Sequence, residues 1–328
     1  MKLASYHQSG GIRLGALCSD QHRLLDLAAA SLALRDQVEP AFASMLALIE
    51  AGPAALDRAR AILEQSEDEH PGHCFQPLSG LRFAPPLLPP RMLCFSVYEG
   101  HMKQAFASVL EMKAGKGVAA TVKALGLMKK MPKRFYQRPL YYKGNNLSVS
   151  AHEQDVIWPR WTKMLDYEME LGVVLGKRGK NISANDAMSY VFGYTCFNDF
   201  SARDKMMEEI PWGGVGPIKG KDFDTGNAMG PWLVTADEIP DPYDLKIQVR
   251  VNGELRGASS TSGMSHPISR MIEVASDEEL VVPGEFFGTG AATNGCGIEF
   301  LRFLEPGDLV EVEIERIGVL RNRVVKPA

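Results

Sequence analysis

The segment from Leu165 to Leu175 constrains the fold more than any other part of this 328-residue chain, because acidic and apolar side chains alternate along it. Asp166, Glu168 and Glu170 occupy one face, and apolar side chains occupy the other. A period of two residues predicts a β-strand. Carboxylates on one strand face lie about 6.5–7 Å apart. They repel each other unless water, a base or a metal cation relieves the repulsion.

Two interpretations fit this acidic face. A solvated edge strand would expose the carboxylates to water, whereas a buried strand would need a cation between them. The next apolar strand, predicted over residues 190–200, ends in Asn198 and Asp199. An acid at the end of a buried strand needs a partner, because an unpaired buried carboxylate is very unfavourable. Asp199 is therefore a candidate third ligand beside Glu168 and Glu170, and oxygen ligands suit a hard cation.

Composition narrows the class of protein. With 45% hydrophobic residues, the chain can bury a full core in one large domain or two smaller ones. The 36 basic and 40 acidic residues give a net charge of -4, which argues against nucleic-acid binding. No apolar run approaches the length of a membrane span, and the polar start does not resemble a signal peptide. We therefore expect a soluble cytoplasmic protein with no nucleic-acid or membrane partner.

The cysteine and glycine patterns disfavour two other classes of site. The five scattered cysteines form no CxxC pair, which predicts reduced and mostly buried thiols. None has a neighbouring histidine or basic cluster in the sequence, so a catalytic cysteine is disfavoured. The chain has no GxxxxGK[ST] motif, and the Gly288-Thr289-Gly290 segment lacks the third glycine of a dinucleotide fingerprint. Nucleotide binding is therefore not predicted.

Turn signals and periodicity divide the chain into two predicted domains. A small N-terminal α/β domain spans residues 1–85, and a β-rich main domain spans residues 86–328. Residues 101–134 are rich in Met and Lys and are predicted as a helical insertion. This basic segment either attracts anionic substrates to a nearby site or forms a solvated helix pair or oligomer contact. Many short strands after residue 245 favour a closed or rolled β architecture.

Several motifs in the same order make the chain resemble the fumarylacetoacetate hydrolase family over about residues 90–325. They occupy residues 166–171, 193–204, 220–225, 230–232, 288–290 and 307–308. The resemblance implies an α+β, β-rich fold, with a mixed β-roll as the main domain beside the smaller N-terminal α/β domain. It also implies a small-molecule oxo-acid substrate and a homodimer.

The resemblance also implies a metal site. Glu168, Glu170 and Asp199 match the family's ligands for Mg²⁺, for which Mn²⁺ or Ca²⁺ can substitute. Oxygen-only ligation by these residues suits a hard cation with open positions, which agrees with the interpretation of the acidic strand. Asp166 is expected to orient a neighbour rather than to bind the metal.

Matches to the family assign further roles around the metal. His101 matches the general base, and Glu299 matches the glutamate that orients this histidine and an attacking water. Lys221 matches the lysine that stabilises an oxyanion or enolate. Tyr142 and Thr289 match residues that contact the substrate, with Thr289 as the anchor of a carboxylate.

Four departures from the family pattern limit which substrate the resemblance implies. Enzymes that cleave fumarylacetoacetate have an acidic ligand, a tyrosine, an arginine and a glutamine where this chain has Cys94, Ser96, Leu110 and Met206. Their loss would leave the far end of a diketo acid unpaired, so fumarylacetoacetate itself is not the expected substrate. The leading prediction is Mg²⁺-dependent hydrolysis of a carbon–carbon bond in an acylpyruvate or related β-diketo acid.

Two other functions stay open at this point. Decarboxylation of an oxaloacetate-like acid, keto–enol tautomerisation, or dehydration of a 2-oxo-3-deoxy sugar acid would use the same metal-held enolate without an attacking water. A protein that only binds metal and oxo acid, for regulation or assembly, is the third alternative. The presence of His101 and Lys221 together with both metal glutamates speaks against it.

Overall fold

A computed structural model gives the fold and describes residues 1–69, 71–127, 129–209 and 219–327. The helices are α1 (Leu27–Arg35), α2 (Met45–Ala51), α3 (Pro53–Glu69), α4 (Glu99–Ala114), α5 (Lys116–Ala124), α6 (Lys133–Gln137), α7 (Arg203–Glu209) and α8 (Ile268–Ser276). The strands are β1 (Lys2–Gln8), β2 (Gly11–Leu17), β3 (Arg23–Asp26), β4 (Phe75–Pro77), β5 (Met92–Phe95), β6 (Tyr141–Lys143), β7 (Val149–Ser150), β8 (Val156–Ile157), β9 (Leu165–Asp166), β10 (Met169–Leu175), β11 (Val191–Asp199), β12 (Ser201–Ala202), β13 (Asn227–Thr235), β14 (Lys246–Val251), β15 (Glu254–Ser260), β16 (Phe286–Gly288), β17 (Leu309–Ile314) and β18 (Gly318–Val325).

One large mixed sheet organises the described part of the chain. Its strand order is β4-β3-β2-β1-β13-β11-β10-β16-β5-β6, with β7 beside β13. The β16–β5 and β13–β7 pairs are parallel, whereas β10 runs antiparallel to both of its neighbours. This arrangement, with helices around the sheets, confirms the predicted β-rich α+β class. The N-terminal strands continue the main sheet because β1 pairs with β13. The domain boundary at residue 85 stays a prediction.

A second sheet packs against the first and completes the main core. It has the order β15-β14-β17-β18-β8. Buried side chains of this sheet, such as Val249 and Val312, belong to the same apolar cluster as Leu171 and Tyr194 of the large sheet. The opposite face of the large sheet is covered by α1, α2 and α3, whose apolar residues form a second cluster. The central strands are therefore buried on both faces, and their side chains lie away from bulk water.

Most helices and strands that follow from local sequence patterns are present in the structure. Strands β1 and β2 form a hairpin whose loop is Ser9 and Gly10, and α3 begins at Pro53, a residue that suits the first turn of a helix. The helical insertion is present as α4, α5 and α6, although its residue 128 lies outside the described ranges. The region after residue 245 is less purely β than expected, because α8 interrupts it; apolar side chains at helical spacing bury one face of this helix.

The acidic strand lies in the interior of the sheet. Strand β10 is hydrogen-bonded on both edges and buried along its whole length, so the solvated edge interpretation is wrong. The predicted continuous strand is also interrupted between Asp166 and Met169. There, side-chain oxygens of Asp166 and Asn198 accept hydrogen bonds from the backbone N–H groups of Tyr167 and Glu168, at 2.9 Å each. These side-chain hydrogen bonds occupy backbone N–H donors that would otherwise bond to a neighbouring strand in a regular β-ladder.

No helix among the described residues has the length and apolar character that crossing a bilayer requires.

Candidate active site

Three buried carboxylates converge where β10 and β11 lie side by side. Glu170 lies on β10, Glu168 immediately precedes this strand, and Asp199 is the last residue of β11. The antiparallel register, with Met169 opposite Asn198, brings the three side chains together. One oxygen from each lies within 4.8 Å of the others. The structure thus brings together the three residues that the sequence predicts as metal ligands.

The electrostatics of this carboxylate cluster favour a bound cation. Burial raises the pKa of Glu170 well above its usual range, and the charges of Asp199 and Glu168 raise it further. Burial and the charge of Glu168 also raise the pKa of Asp199. The Asp199 Oδ1 atom is buried and has no hydrogen-bond partner. Buried polar atoms are rarely left unpaired. The unpaired Asp199 oxygen and the mutual repulsion of the three carboxylates therefore indicate a site for a hard divalent cation.

The loop after β16 fits closely against Glu170. The backbone N–H of Gly290 donates a 2.8 Å hydrogen bond to Glu170 Oε2. A Cβ atom at Gly288 would lie 2.8 Å from the same oxygen and 3.0 Å from the Phe197 ring. Only glycine at position 288 allows the backbone to approach this carboxylate so closely. The glycines of residues 288–290 therefore serve the site through backbone contact with Glu170.

Two buried cations flank Glu168. Lys221 Nζ lies 2.8 Å from Glu168 Oε2 and 2.8 Å from Asp199 Oδ2. Burial alone would lower the pKa of Lys221, but the charges of Asp199 and Glu168 raise it, so the lysine stays charged. Arg203 Nη1 lies 2.7 Å from Glu168 Oε1. Burial opposes ionisation of Glu168, yet Lys221 and Arg203 hold its pKa well below the usual value.

A histidine–carboxylate pair adjoins the cluster. His101, in the first turn of α4, places its Nδ1 atom 3.4 Å from Glu299 Oε1. The backbone N–H groups of Asn294 and Cys296 donate to the two Glu299 oxygens at 3.1 and 3.0 Å and fix this carboxylate. Cys296 also forms a β-bridge with Glu168, which connects the pair to the carboxylate cluster. The predicted partners His101 and Glu299 are therefore neighbours at one site.

The two predicted substrate contacts lie at this site in different ways. Tyr142 donates its hydroxyl hydrogen to Asp199 Oδ2, at the edge of the carboxylate cluster. Thr289 is fully buried, and its hydroxyl lies 3.5 Å from the carbonyl of Gly290. Their contacts with a substrate stay predictions.

Cys94, one of the four departures from the family pattern, lies beside the carboxylate cluster. It pairs with Tyr142 across β5 and β6 and is fully buried. Burial raises the pKa of its thiol well above the usual value, and the charges of Asp199 and Glu170 raise it further. A neutral thiol therefore lies beside the carboxylates. Enzymes that cleave fumarylacetoacetate are expected to have an acidic ligand at this position.

Two residues of the site escaped the sequence interpretation. Arg203 belongs to the motif at residues 193–204, but an arginine just after a buried, acid-ended strand also indicates an ion pair. Cys296 has no histidine near it in the sequence, yet its Sγ atom lies 3.4 Å from His101 Nδ1. Sequence separation hides this contact, because the two residues are 195 positions apart in the chain.

Asp166 has the orienting role that the sequence suggested. Its carboxylate accepts hydrogen bonds from the N–H groups of Gly297 and Ile298, at 2.7 and 2.9 Å, and from Arg203 Nε at 2.7 Å. It therefore ties the segment that carries Cys296 and Glu299 to the β9 strand.

We expect Asp166→Ala to destabilise the protein by about 3–5 kcal/mol, because it leaves two buried backbone donors and the Nε–H group of the buried Arg203 without their acceptor. Urea unfolding followed by circular dichroism measures this change. The matched control is Asp57→Ala, which removes an exposed aspartate paired with Arg60 and should change stability by less than about 1 kcal/mol. Equal effects of the two substitutions would refute the structural role of Asp166.

Comparisons with known proteins support an enzymatic site. Residues 112–325 match the model of the fumarylacetoacetate hydrolase C-terminal family. The mitochondrial oxaloacetate tautomerase Fahd2a of Rattus norvegicus is 39% identical over 196 residues, which cover 58% of this chain and 60% of the relative. The oxaloacetate tautomerase YisK of Bacillus subtilis is 38% identical over 194 residues, covering 59% and 61%. The matched region thus spans about three fifths of each of these relatives.

A solved structure shows the same fold over the whole chain. The fumarylacetoacetate hydrolase of Exiguobacterium antarcticum superposes with a TM-score of 0.74 at 25% sequence identity, and the match covers 100% of both chains.

Proposed function

The chain belongs to the fumarylacetoacetate hydrolase family of enzymes, and we propose that it is a divalent-metal-dependent keto–enol tautomerase of oxaloacetate or a closely similar 2-oxo dicarboxylic acid. The observation that carries the proposal is the position of Lys221, a buried cation 2.8 Å from two members of the carboxylate cluster. A fixed positive charge in a buried site favours the enolate that this reaction must form. The relatives named as oxaloacetate tautomerases supply the substrate class.

The carboxylate cluster would hold the metal. Glu168, Glu170 and Asp199 provide only oxygen ligands, and the orphaned Asp199 Oδ1 atom fits a coordinating role. When bound, a divalent cation such as Mg²⁺ supplies Lewis-acid polarisation of the substrate's 2-oxo group. Mn²⁺ or Ca²⁺ would satisfy the same ligand chemistry.

His101 would move the proton. If Nδ1–H faces Glu299, the Nε2 lone pair is free to accept a proton from the carbon beside the 2-oxo group. The electron pair of that C–H bond forms the C=C bond, the π pair of the C=O bond moves to the oxygen, and the protonated His101 gives its proton to the oxygen to form the enol. The reverse direction restores the C–H bond. No water is consumed, so the residues need only position the substrate and transfer the proton.

The hydrogen bonds of Glu299 favour tautomerisation over hydrolysis. Its Oε2 atom accepts from Cys296 N–H, and its Oε1 atom accepts from Asn294 N–H and faces His101. These contacts suit a carboxylate that orients the imidazole, whereas hydrolysis would require it to hold an attacking water as well. Thr289 and Tyr142 would then contact the carboxylate and oxo ends of the substrate.

Hydrolysis of an acylpyruvate is the second candidate, because the His101–Glu299 pair could also serve it. The two side chains lie 3.4 Å apart, and such a pair can activate water as well as transfer a proton. The leading prediction from the sequence therefore stays in competition with the tautomerase proposal.

One pair of assays separates the candidates. The protein with Mg²⁺ is mixed with enol oxaloacetate, whose absorbance loss reports ketonisation, and separately with acetylpyruvate, whose products are identified by NMR. A tautomerase accelerates ketonisation above a protein-free blank with the same Mg²⁺ and leaves acetylpyruvate uncleaved. Release of pyruvate and acetate without faster ketonisation would overturn the proposal in favour of hydrolysis.

We expect Lys221→Met to lower the ketonisation rate by about 10²-fold, because removing one fixed stabiliser of a developing oxyanion has an effect of this size. Steady-state kinetics measures it as a fall in kcat. The control is Lys180→Met, which removes an exposed lysine paired with Glu278. A loss confined to KM would contradict the proposed stabilisation of the enolate.

A further inference from the structure

A second set of metal-ligating atoms lies beside the carboxylate cluster. His101 Nδ1 is 3.4 Å from Cys296 Sγ and 3.4 Å from Glu299 Oε1, and the three ligand groups lie within 4.8 Å of one another. Tetrahedral Zn²⁺, with bonds of about 2.0–2.3 Å to nitrogen, oxygen and sulfur, places its ligands about 3.3–3.6 Å apart. The two distances from His101 match this spacing.

We propose that His101, Cys296 and Glu299 form a second metal site, which binds Zn²⁺ and similar borderline-soft divalent cations and thereby inhibits the enzyme. The ligand chemistry separates the two sites. The carboxylate cluster offers three oxygens and suits a hard cation, whereas imidazole and thiolate ligands select Zn²⁺ over Mg²⁺. The site would lie next to the proposed Mg²⁺ site because Cys296 and Glu168 form a β-bridge.

The local charges allow both sites to be filled. Among the described residues at this end of β10, five buried carboxyl groups face two buried cations: Asp166, Glu168, Glu170, Asp199 and Glu299 against Arg203 and Lys221. If all are ionised, their net charge is 2 − 5 = −3. A divalent cation in the carboxylate cluster leaves −1, and Zn²⁺ with the Cys296 thiolate leaves zero. The second cation therefore neutralises the region rather than overcharging it.

The tautomers of histidine explain the inhibition, which rests on the proposed role of His101. A neutral imidazole carries one N–H and one lone pair. When a metal occupies the Nδ1 lone pair, the proton must lie on Nε2, which then cannot accept a proton from the substrate. The Cys296 thiol loses its proton to become a ligand, so binding releases one proton to solvent. The His101 side chain is 11% exposed, which leaves a small ion an approach to the site.

Cobalt spectroscopy without substrate tests the site independently of the enzymatic activity. The full-length protein is saturated with Mg²⁺ and titrated with Co²⁺, a spectroscopic substitute for Zn²⁺. We expect one equivalent of Co²⁺ to bind with a thiolate-to-metal charge-transfer band. The band should disappear in Cys296→Ser and remain in Cys94→Ser. Cys94 is the matched control because its thiol is also buried and lies beside the other cluster.

The outcomes separate this proposal from the proposed function. Absence of the band, or its loss in Cys94→Ser alone, would overturn the second site whatever the activity. If Cys296→Ser does not fold, X-ray absorption of the Zn²⁺-loaded wild type decides, since the proposal requires a sulfur scatterer at about 2.3 Å. For an active enzyme, Zn²⁺ should inhibit by more than about tenfold in excess Mg²⁺, and a chelator with fresh Mg²⁺ should restore the rate. Persistent full activity of the Zn²⁺-loaded protein would refute the inhibitory role.

Discussion

Glu170→Gln is expected to abolish binding of the divalent cation and to lower tautomerase activity by at least about 10³-fold, because a bound metal contributes several kcal/mol to stabilising the transition state. The metal-free variant should nevertheless be at least as stable as metal-free wild type. The glutamine oxygen can still accept the hydrogen bond from Gly290 N–H. Its neutral amide also removes the repulsion from Asp199 and Glu168 that raises the pKa of Glu170.

Isothermal titration calorimetry with Mn²⁺ tests the loss of metal binding, and thermal unfolding without metal tests the stability of the metal-free variant. The matched control is Glu278→Gln, which changes an exposed glutamate on the protein surface. Wild-type affinity for Mn²⁺ in Glu170→Gln would show that the carboxylate cluster is not the metal site. A large loss of stability in the metal-free variant would show that Glu170 is primarily a structural residue.

His101→Ala is expected to lower activity by about 10²–10⁴-fold, the usual contribution of a positioned general base. Binding of Mn²⁺ at the carboxylate cluster should be unchanged, because the ligands proposed there are Glu168, Glu170 and Asp199 and the imidazole is not among them. Single-turnover kinetics and Mn²⁺ titration measure the two effects separately. His22→Ala, at an exposed position, controls for the loss of a histidine as such. If activity and metal affinity fall together, His101 supports the metal site instead of transferring the proton.

The core of the candidate site could be predicted from the sequence because its signals are local. Alternation within one segment places Glu168 and Glu170 on one face, and the abrupt end of the next strand marks Asp199. The antiparallel pairing of β10 and β11 joins these signals. The structure corrects one detail: the strand breaks at Tyr167 and Glu168, where side chains take the backbone hydrogen bonds.

The remaining contacts depend on pairings between distant segments, which periodicity does not report. The parallel β5–β16 pair sets Cys94 opposite Gly288, and the β1–β13 pair adds the N-terminal strands to the main sheet. The contact between His101 and Cys296 likewise depends on how α4 packs beside the loop after β16. A thiol judged only by its neighbours in sequence cannot reveal such a partner.

The assignment of the reaction also depends partly on local motifs and partly on contacts that the sequence does not report. The fold and the family follow from ordered motifs, and both are confirmed. The leading expectation of carbon–carbon hydrolysis depended on assigning an attacking water to Glu299, a detail of hydrogen bonding that motifs do not specify. The contacts of Glu299 and the tautomerases among the relatives shift the preferred proposal to enolisation, which the sequence had left as an alternative.

The most direct test of the account is the metal dependence of oxaloacetate ketonisation. Protein stripped of metal by chelation is mixed with enol oxaloacetate, and the absorbance decay is followed by stopped flow as Mg²⁺ is added. Each trace is compared with a protein-free blank at the same Mg²⁺ concentration. We predict that the stripped protein matches the blank and that added Mg²⁺ raises the rate to saturation in wild type but not in Glu170→Gln. A stripped protein as fast as the loaded one, or a loaded protein no faster than the blank, would contradict the account.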